Sequence, residues 1–243
     1  MGKLWFRNNR KLFAENLLRR FLCAKRRCPI SVMNRCILLS GGVDSIALCY
    51  WLRPKLAITI NYGQAPAEAE IAASREVCRV LAIQHEVIKA DCSEIGLGNM
   101  VADGGAQRDS ELSSVAPTPE WWPFRNQLLV TIAAARCLAR GYNQVIIGTV
   151  KSDGQHRDGT REFVRLMNAL LAHQEGRVTF VAPAIGMTST ELVLRSGVPR
   201  SLLCWAHSCH TGDLPCCNCR GCAKYVEVMR TLSESELGRC MQC

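Results

Sequence analysis

A chain of 243 residues with 48% hydrophobic content is long enough to bury one core with a small appendage. No apolar run approaches the roughly 20 residues of a membrane helix, and no secretory signal accompanies the fifteen cysteines, so we expect a soluble, cytoplasmic protein with reduced thiols. Residues 1–35 hold ten of the thirty Lys and Arg residues against one acid, so this N-terminal arm carries the whole net charge of +9 and the charges of the remaining residues cancel. We therefore expect no nucleic-acid surface beyond this arm.

The first predicted element is a basic amphipathic helix in an N-terminal extension, residues 1–34, where leucine and phenylalanine lie among the cations. It has three interpretations. The helix could dock on the protein's own body or on a partner subunit, it could contact an acidic partner or nucleic acid, or it could be an extension upstream of an internal start at Met33.

Residues 35–200 alternate between strand and helix patterns. Short apolar runs predict buried strands at 35–39, 56–60, 85–89, 144–148 and 178–181, and the segments between them predict helices at 45–52, 65–82, 127–140 and 162–172. A further helix begins at Thr188, where Glu191 completes a capping box. This order predicts an α/β fold with a doubly wound parallel sheet, whose ligands bind at the carboxyl ends of the strands.

Two segments of this domain have a composition that predicts more than a strand or a helix. Residues 91–120 lack periodicity and are rich in Gly, Ser, Asp and Pro, which is typical of a lid or a disordered segment. The helix at 162–172 has an apolar face made of Phe163, Leu166, Met167, Leu170 and Leu171.

The glycine-pair loop, Ser40-Gly41-Gly42-Val43-Asp44-Ser45, falls at the turn between the first strand and its helix. Glycines let backbone N–H groups face a ligand, a helix N-terminus adds partial positive charge, and the two serines can donate hydroxyl hydrogen bonds. The loop therefore predicts an anion site. An isolated glycine pair could instead serve turn geometry alone.

Four cysteines near the end of the chain have the spacing of a metal site: Cys209, Cys216, Cys219 and Cys222. Two overlapping C-x2-C steps and one preceding thiolate can enclose an ion tetrahedrally, as structural Zn²⁺ sites require. An iron–sulfur cluster is the alternative, since spacing alone does not exclude it. We expect residues 201–243 to form a zinc subdomain with a C-terminal helix; the Cys240 and Cys243 pair stays unassigned.

Taken together, the motifs resemble the 7-cyano-7-deazaguanine synthase (QueC) family of PP-loop ATP pyrophosphatases. They occur in the family's order and span about residues 35–230: the glycine-pair loop, Tyr62-Gly63-Gln64, Pro123-Phe124-Arg125-Asn126, Ile147-Gly148 with Asp153 and Asp158, Pro183 with Thr188 and Glu191, and the cysteine cluster. The resemblance implies ATP-dependent adenylation of the carboxylate of 7-carboxy-7-deazaguanine, with Mg²⁺, followed by amide formation with an amine. In the synthase the amine is ammonia, and further ATP converts the amide to a nitrile.

The resemblance also implies roles for particular residues. Asp44 is expected to orient the metal and the phosphates, Arg125 to pair with phosphate or carboxylate, and Asp158 to hydrogen-bond the deazapurine ring. Alternatively, Arg125 could pair with a neighbouring acid, and Asp158 could cap the helix near Glu162. The expected nucleotide contacts are Ser40, Gly41, Gly42, Val43, Asp44, Ser45, Tyr62, Gln64 and Gly148.

The sequence departs from the family pattern at several positions. Ala65-Pro66 replaces a basic pair, Asp158-Gly159-Thr160 replaces an Asp-Cys-Arg element, Ser189 replaces a lysine and Cys217 replaces a glycine. Because two cations are missing near the substrate, we hypothesise a reaction that stops at the amide, with a macromolecular acceptor such as a protein partner in an antiphage operon. A homodimer is expected. The alternatives are a PP-loop tRNA-modifying ligase and a non-catalytic nucleotide or deazaguanine scaffold.

Overall fold

The structure is a computed structural model that describes residues 34–101, 115–116 and 118–240. The predicted basic helix and the Cys243 end of the second cysteine pair therefore lie outside the described residues. From Asn34 onward the chain forms one unit, which includes the cysteine segment and the last helix. Within the described ranges, no helix combines the length and apolar composition needed to cross a bilayer.

The centre of the fold is a five-stranded parallel sheet in the order β3-β2-β1-β4-β5. The strands are β1 (Arg35–Leu38), β2 (Leu56–Asn61), β3 (Gln84–Lys89), β4 (Gln144–Ile146) and β5 (Thr179–Val181). The chain moves outward from β1 to β3 and then crosses to β4 on the other side of β1. The predicted doubly wound sheet is confirmed, and the loops after β1 and β4 flank its switch point, where such folds bind ligands.

The helices cover both faces of the sheet. They are α1 (Val43–Leu52), α2 (Ala67–Leu81), α3 (Arg125–Ala139), α4 (Arg161–His173), α5 (Ser189–Ser196), α6 (Arg200–Leu203) and α7 (Arg220–Cys240). Alternate residues of β1 point to opposite faces: Ile37 packs in the core with α1, α5 and α7, whereas Cys36 packs in the core with α3 and α4. The result is a three-layer arrangement that buries the sheet on both sides.

The apolar face predicted for α4 is only partly buried. Met167 and Leu171 reach the core, whereas Leu166 is 52% exposed and Leu170 is 48% exposed. The periodic pattern gives the stripe of apolar residues correctly. How much of the stripe is covered depends on neighbouring elements, and here the sheet and α3 cover only its inner edge.

The predicted lid segment is ordered at its described ends. Short 3₁₀ turns form at Ser93–Ile95 and Gly98–Met100, and Val101 bridges to Gln64. Met100 and Trp122 are buried in the core, so this segment is anchored at both of its described ends. Residues 102–114 and 117, which the lid prediction also covers, lie outside the described part of the chain.

Candidate active site

The glycine-pair loop joins β1 to the first turn of α1 and packs closely on α2. Gly41 has φ +73°, and a Cβ at this position would lie 2.7 Å from the carbonyl oxygen of Glu70, so both conformation and space favour glycine. A Cβ on Gly42 would meet nothing closer than the Ser40 Oγ at 3.5 Å, which leaves this side of the loop open. The first amides of α1 have no acceptor within the helix, so the loop offers donors to an anion.

The two serines of the loop are connected to each other. The Ser40 hydroxyl donates to the Ser45 Oγ at 3.2 Å, and the Ser45 hydroxyl donates to the Gly42 carbonyl at 3.0 Å. Gly148, at the end of β4, lies against Ser45, because a Cβ on Gly148 would be 3.1 Å from the Ser45 Cα. A side chain at 148 would therefore push the β4 end away from the loop.

Asp44 is buried in the first turn of α1 and forms an ion pair that the sequence did not predict. The Lys224 ammonium donates to Asp44 Oδ2 at 3.0 Å and to Asp153 Oδ1 at 3.2 Å. Burial raises the pKa of the Asp44 carboxyl, and the charge of Lys224 opposes that rise. Asp44 Oδ1 is buried without a hydrogen-bond partner among the described residues, so it can accept a metal ion.

A cavity of about 780 Å³ opens at the loop and brings the predicted catalytic residues together. Asp44, Arg125 and Asp158 all line it, as do Tyr62 and Gly148. This volume falls within the range of small-molecule sites in proteins, roughly 300–1,000 Å³.

Arg125 begins α3 and lines the cavity, where its side chain also forms a hydrogen bond with Tyr62. Its Nη1 donates to the Met100 Sδ at 3.3 Å, and no carboxylate of the described residues forms an ion pair with it. Burial opposes its charge, but negative groups nearby, including Asp158 and Asp153, raise the pKa of Arg125 above its usual value. A charged guanidinium that no carboxylate of the described residues neutralises in an ion pair is suited to an anionic ligand.

Asp158 holds the start of α3. Its Oδ2 accepts a hydrogen bond from the Asn126 backbone N–H at 3.2 Å, and its carbonyl accepts one from the Asn126 side-chain amide at 2.9 Å. The alternative that Asp158 caps the helix near Glu162 is wrong, because Thr160 does so: its Oγ1 accepts from the Phe163 N–H at 3.2 Å. Asp158 therefore fixes Asn126 and still lines the cavity.

Tyr62 and Gln64, both at the end of β2, are placed differently. The Tyr62 ring lines the cavity and packs edge-on against Trp122, with 4.8 Å between ring centroids. The Gln64 side chain is buried beside the cavity and bonds to its own turn: it accepts from the Tyr62 N–H at 2.8 Å and donates to the Ile60 carbonyl at 3.1 Å. Gln64 thus supports the turn and is not among the residues that line the cavity.

Glu70 and Lys224 are two of the cavity residues that the sequence did not predict. Glu70 lies in the first turn of α2, and its Oε2 accepts from the Gln64 side-chain amide at 2.8 Å. Burial raises the pKa of the Glu70 carboxyl to about 7, against the opposing effects of Gln64 and Arg125. Both residues stand close to a motif in the sequence. Glu70 follows the turn after β2, and Lys224 follows the last cysteine of the cluster by two positions.

The four predicted metal ligands converge. The sulfur atoms of Cys209, Cys216, Cys219 and Cys222 all lie within 4.8 Å of one another. Backbone N–H groups donate to three of them, as in Cys219 N–H to Cys216 Sγ at 3.3 Å and Cys222 N–H to Cys219 Sγ at 3.4 Å. These donors stabilise thiolates, and sulfurs this close fit around a single ion, whereas the irons of a cluster would hold them further apart.

The cysteine segment also touches the glycine-pair loop. The His207 N–H donates to the Gly41 carbonyl at 2.9 Å, and the Val43 N–H donates to the Ser208 Oγ at 3.3 Å. Further along, Asp213 Oδ1 accepts from the Ala69 N–H at 2.9 Å, at the start of α2. The four-cysteine cluster and the glycine-pair loop are therefore parts of one connected structure.

Comparison with known proteins assigns the family. A family model described as "Queuosine biosynthesis protein QueC" matches residues 34–231, which is most of the chain. The chain belongs to the QueC family. The 7-cyano-7-deazaguanine synthase of Methanosarcina barkeri is 30% identical over 217 residues, covering 82% of this chain and 94% of that protein. The synthase of Desulforudis audaxviator is also 30% identical over 217 residues, covering 82% and 97%.

A solved structure supports the fold. The U34-tRNA thiolase NcsA from Methanococcus maripaludis, solved with its 4Fe–4S cluster, aligns with a TM-score of 0.50 at 16% identity, covering 88% of this chain and 69% of NcsA. At this identity the likeness concerns the fold alone. The predictions of QueC-family membership and of a PP-loop ligase are confirmed. For this QueC-family chain, metal binding by the cysteine cluster is supported by the converging sulfurs.

Cys217, which stands where the family pattern has a glycine, has a backbone conformation that is typical of glycine. Cys217 has φ +58°, a conformation that favours glycine, and its side chain is exposed between the ligands Cys216 and Cys219. The left-handed conformation costs a non-glycine residue roughly 1–2 kcal/mol. Cys217 and Cys204 both lie outside the group of converging sulfurs.

Proposed function

We propose that this QueC-family chain uses ATP to activate the carboxylate of a 7-carboxy-7-deazaguanine-type substrate and then joins it to ammonia as an amide. The observation that carries the proposal is the position of Arg125: a guanidinium without an ion-pair partner among the described residues lines the same cavity as the glycine-pair loop. The cavity thus has two places for anions, which suit a phosphate chain and a carboxylate. The names of the relatives support the choice of substrate.

In the first step a carboxylate oxygen attacks the α-phosphorus of ATP. The bond from this phosphorus to the bridging oxygen breaks, and pyrophosphate leaves with the bonding electrons. The amides of the glycine-pair loop and the hydroxyls of Ser40 and Ser45 hold the pyrophosphate, and Arg125 orients the carboxylate. Mg²⁺ bound through Asp44 would supply further charge neutralisation.

In the second step the amine nitrogen attacks the acyl carbon, and AMP leaves. The nitrogen must lose a proton, and Glu70 lies in the cavity with a pKa of about 7, so its carboxylate can accept that proton near neutral pH. Asp158 is proposed to accept hydrogen bonds from the N–H and amino groups of the deazapurine, through the oxygen that Asn126 leaves free.

The geometry weakens the two reasons for a reaction that stops at a macromolecular amide. Thr160, which stands where the family has an arginine, is not among the residues that line the cavity. The lysine that Ser189 replaces has a counterpart in Lys224, because the Lys224 ammonium pairs with Asp44, which lies beside Ser189. Ammonia is therefore the first acceptor to test, and a protein amine is the second.

We also propose that the four-cysteine cluster holds one Zn²⁺ ion. Four thiolates within 4.8 Å leave no open position for substrate, so the ion would be structural. Metal analysis of the purified protein should give one zinc and no iron per chain. Iron with acid-labile sulfide would show the cluster to be of the iron–sulfur kind instead.

The test of the function is release of pyrophosphate with ATP, Mg²⁺, ammonia and 7-carboxy-7-deazaguanine, with the products weighed by mass spectrometry. We expect carboxylate-dependent pyrophosphate and a product with the mass of the amide or nitrile. Arg125→Met should lower this rate by about 100-fold or more. Arg165→Met, which removes an exposed arginine paired with Glu162, is the matched control and should keep it. Pyrophosphate release that does not depend on the carboxylate would count against the proposal.

A further inference from the structure

Lys224 lies in the second turn from the start of α7. Its ammonium reaches across the cavity to Asp44 in α1 and to Asp153 in the turn after β4. Among the described residues, it is the cation that forms ion pairs inside the cavity. Its side chain keeps 26% of its surface exposed, so a ligand in the cavity can reach the ammonium.

The position of Lys224 is fixed by the cysteine cluster. The ligand Cys222 precedes it by two residues in the same helix. Gly221 lies directly on the preceding cysteine segment, because a Cβ there would overlap the Ser208 carbonyl oxygen. Ser208 in turn accepts from the Val43 N–H of the glycine-pair loop. A short series of contacts therefore leads from the metal ligands to the loop and to Lys224.

The charges around Lys224 are not balanced until a cation binds beside it. One ammonium faces two carboxylates, so the group carries a net negative charge in the free protein. A divalent ion bound at the free Asp44 Oδ1 would take over part of the neutralisation of Asp44. The Lys224 ammonium is then available to the phosphates that the adjacent loop amides hold.

We propose that Lys224 is a phosphate-binding residue of the nucleotide site and that the four-cysteine cluster serves to hold it at the glycine-pair loop. The proposal rests on the proposed function in one respect, that the loop binds ATP. It does not depend on the identity of the carboxylate. It assigns the metal cluster a part in nucleotide affinity in addition to stability.

The experiment measures binding of ATP and of adenosine, with Mg²⁺ and without carboxylate, by calorimetry on the metal-loaded protein. Lys224→Met should weaken ATP binding by about tenfold to a hundredfold, the effect of one charged hydrogen bond, and leave adenosine binding unchanged. Lys224→Arg should restore most of the ATP affinity. The control is Arg230→Met, which removes an exposed cation from the same helix and should change neither ligand.

Loss of Lys224 could weaken ATP binding in two ways: it removes a direct contact with the phosphates, and it leaves Asp44 and Asp153 unpaired to repel them. A second variant separates these two effects. In Lys224→Met combined with Asp153→Asn, ATP binding should remain weak if Lys224 touches the phosphates. Recovery of ATP affinity in this double variant would overturn the proposal. The proposal would also fail if Lys224→Met weakened the binding of ATP and of adenosine equally while the metal content stayed unchanged. If the unaltered protein binds no ATP, the proposed function fails together with the inference. If it binds ATP but does not activate the carboxylate, only the proposed function fails.

Discussion

Replacing Gly41 by alanine should destabilise the protein more than the same change at another glycine of equal conformation. Gly41 and Gly141 both have φ +73°, a conformation that costs alanine about 1–2 kcal/mol. At Gly141 a Cβ meets nothing within 4 Å, so Gly141→Ala carries this backbone cost alone. The reduced freedom of the unfolded chain offsets roughly 0.5 kcal/mol of it in both variants.

Gly41→Ala adds a steric cost that Gly141→Ala lacks. The new Cβ would lie 2.7 Å from the Glu70 carbonyl oxygen and 3.0 Å from the Ala73 Cβ, and the nearer atom is backbone that cannot rotate away. Overpacking of this kind typically costs about 1–3 kcal/mol, so the free energy of unfolding should fall by that much more than in Gly141→Ala. Because α2 must shift, Glu70 also moves relative to the loop, and ATP affinity should fall.

The assay is urea unfolding of the two variants and of the unaltered protein. The unfolding midpoints are compared, provided that the three proteins have the same m-value. ATP binding is measured on the same samples. Equal losses of stability in Gly41→Ala and Gly141→Ala would refute the close packing of the loop on α2. A large loss of stability with unchanged ATP affinity would refute the link between that packing and the nucleotide site.

Three further predictions follow from single contacts. Thr160→Ala removes the cap of α4 and should cost about 1 kcal/mol in urea unfolding, whereas Thr160→Ser keeps the hydroxyl and should cost less; equal losses would contradict the cap. Because burial raises the pKa of Glu70 from 4.5 to about 7, folding disfavours its charged form, so ligand-free protein should lose stability as pH rises from about 4.5 through 7. Glu70→Gln should remove that part of the pH dependence, and an unchanged profile would contradict it. Removing the metal with a chelator should expose four more reactive thiols per chain, and protection of Cys209 after removal would count against its role as a ligand.

Much of the fold and of the site could be predicted because the relevant signals are local. Apolar runs and capping residues mark strands and helices, and the glycine-pair loop carries its anion-binding geometry within six residues. The spacing of the cysteines likewise brings four thiolates together. The parallel sheet then places the ends of β1 and β4 at one rim.

The remaining features depend on how distant segments meet. Lys224 reaches Asp44 across 180 positions of sequence, and no local pattern says which turn of α7 faces the loop. Leu166 and Leu170 belong to an apolar stripe, but its exposure is decided by neighbouring elements. Thr160 caps α4 because it directly precedes the helix, whereas the Asp158 carboxylate accepts from the Asn126 N–H.

The central claim is that one cavity activates a carboxylate at the expense of ATP, and pyrophosphate release tests it most directly. With ATP, Mg²⁺ and 7-carboxy-7-deazaguanine, but no amine, the protein should release pyrophosphate in an amount that follows the amount of protein, and Asp44→Asn should abolish the release. Adding ammonia should convert this burst into continuous turnover. No carboxylate-dependent pyrophosphate from a folded, metal-loaded protein that binds ATP would contradict the claim.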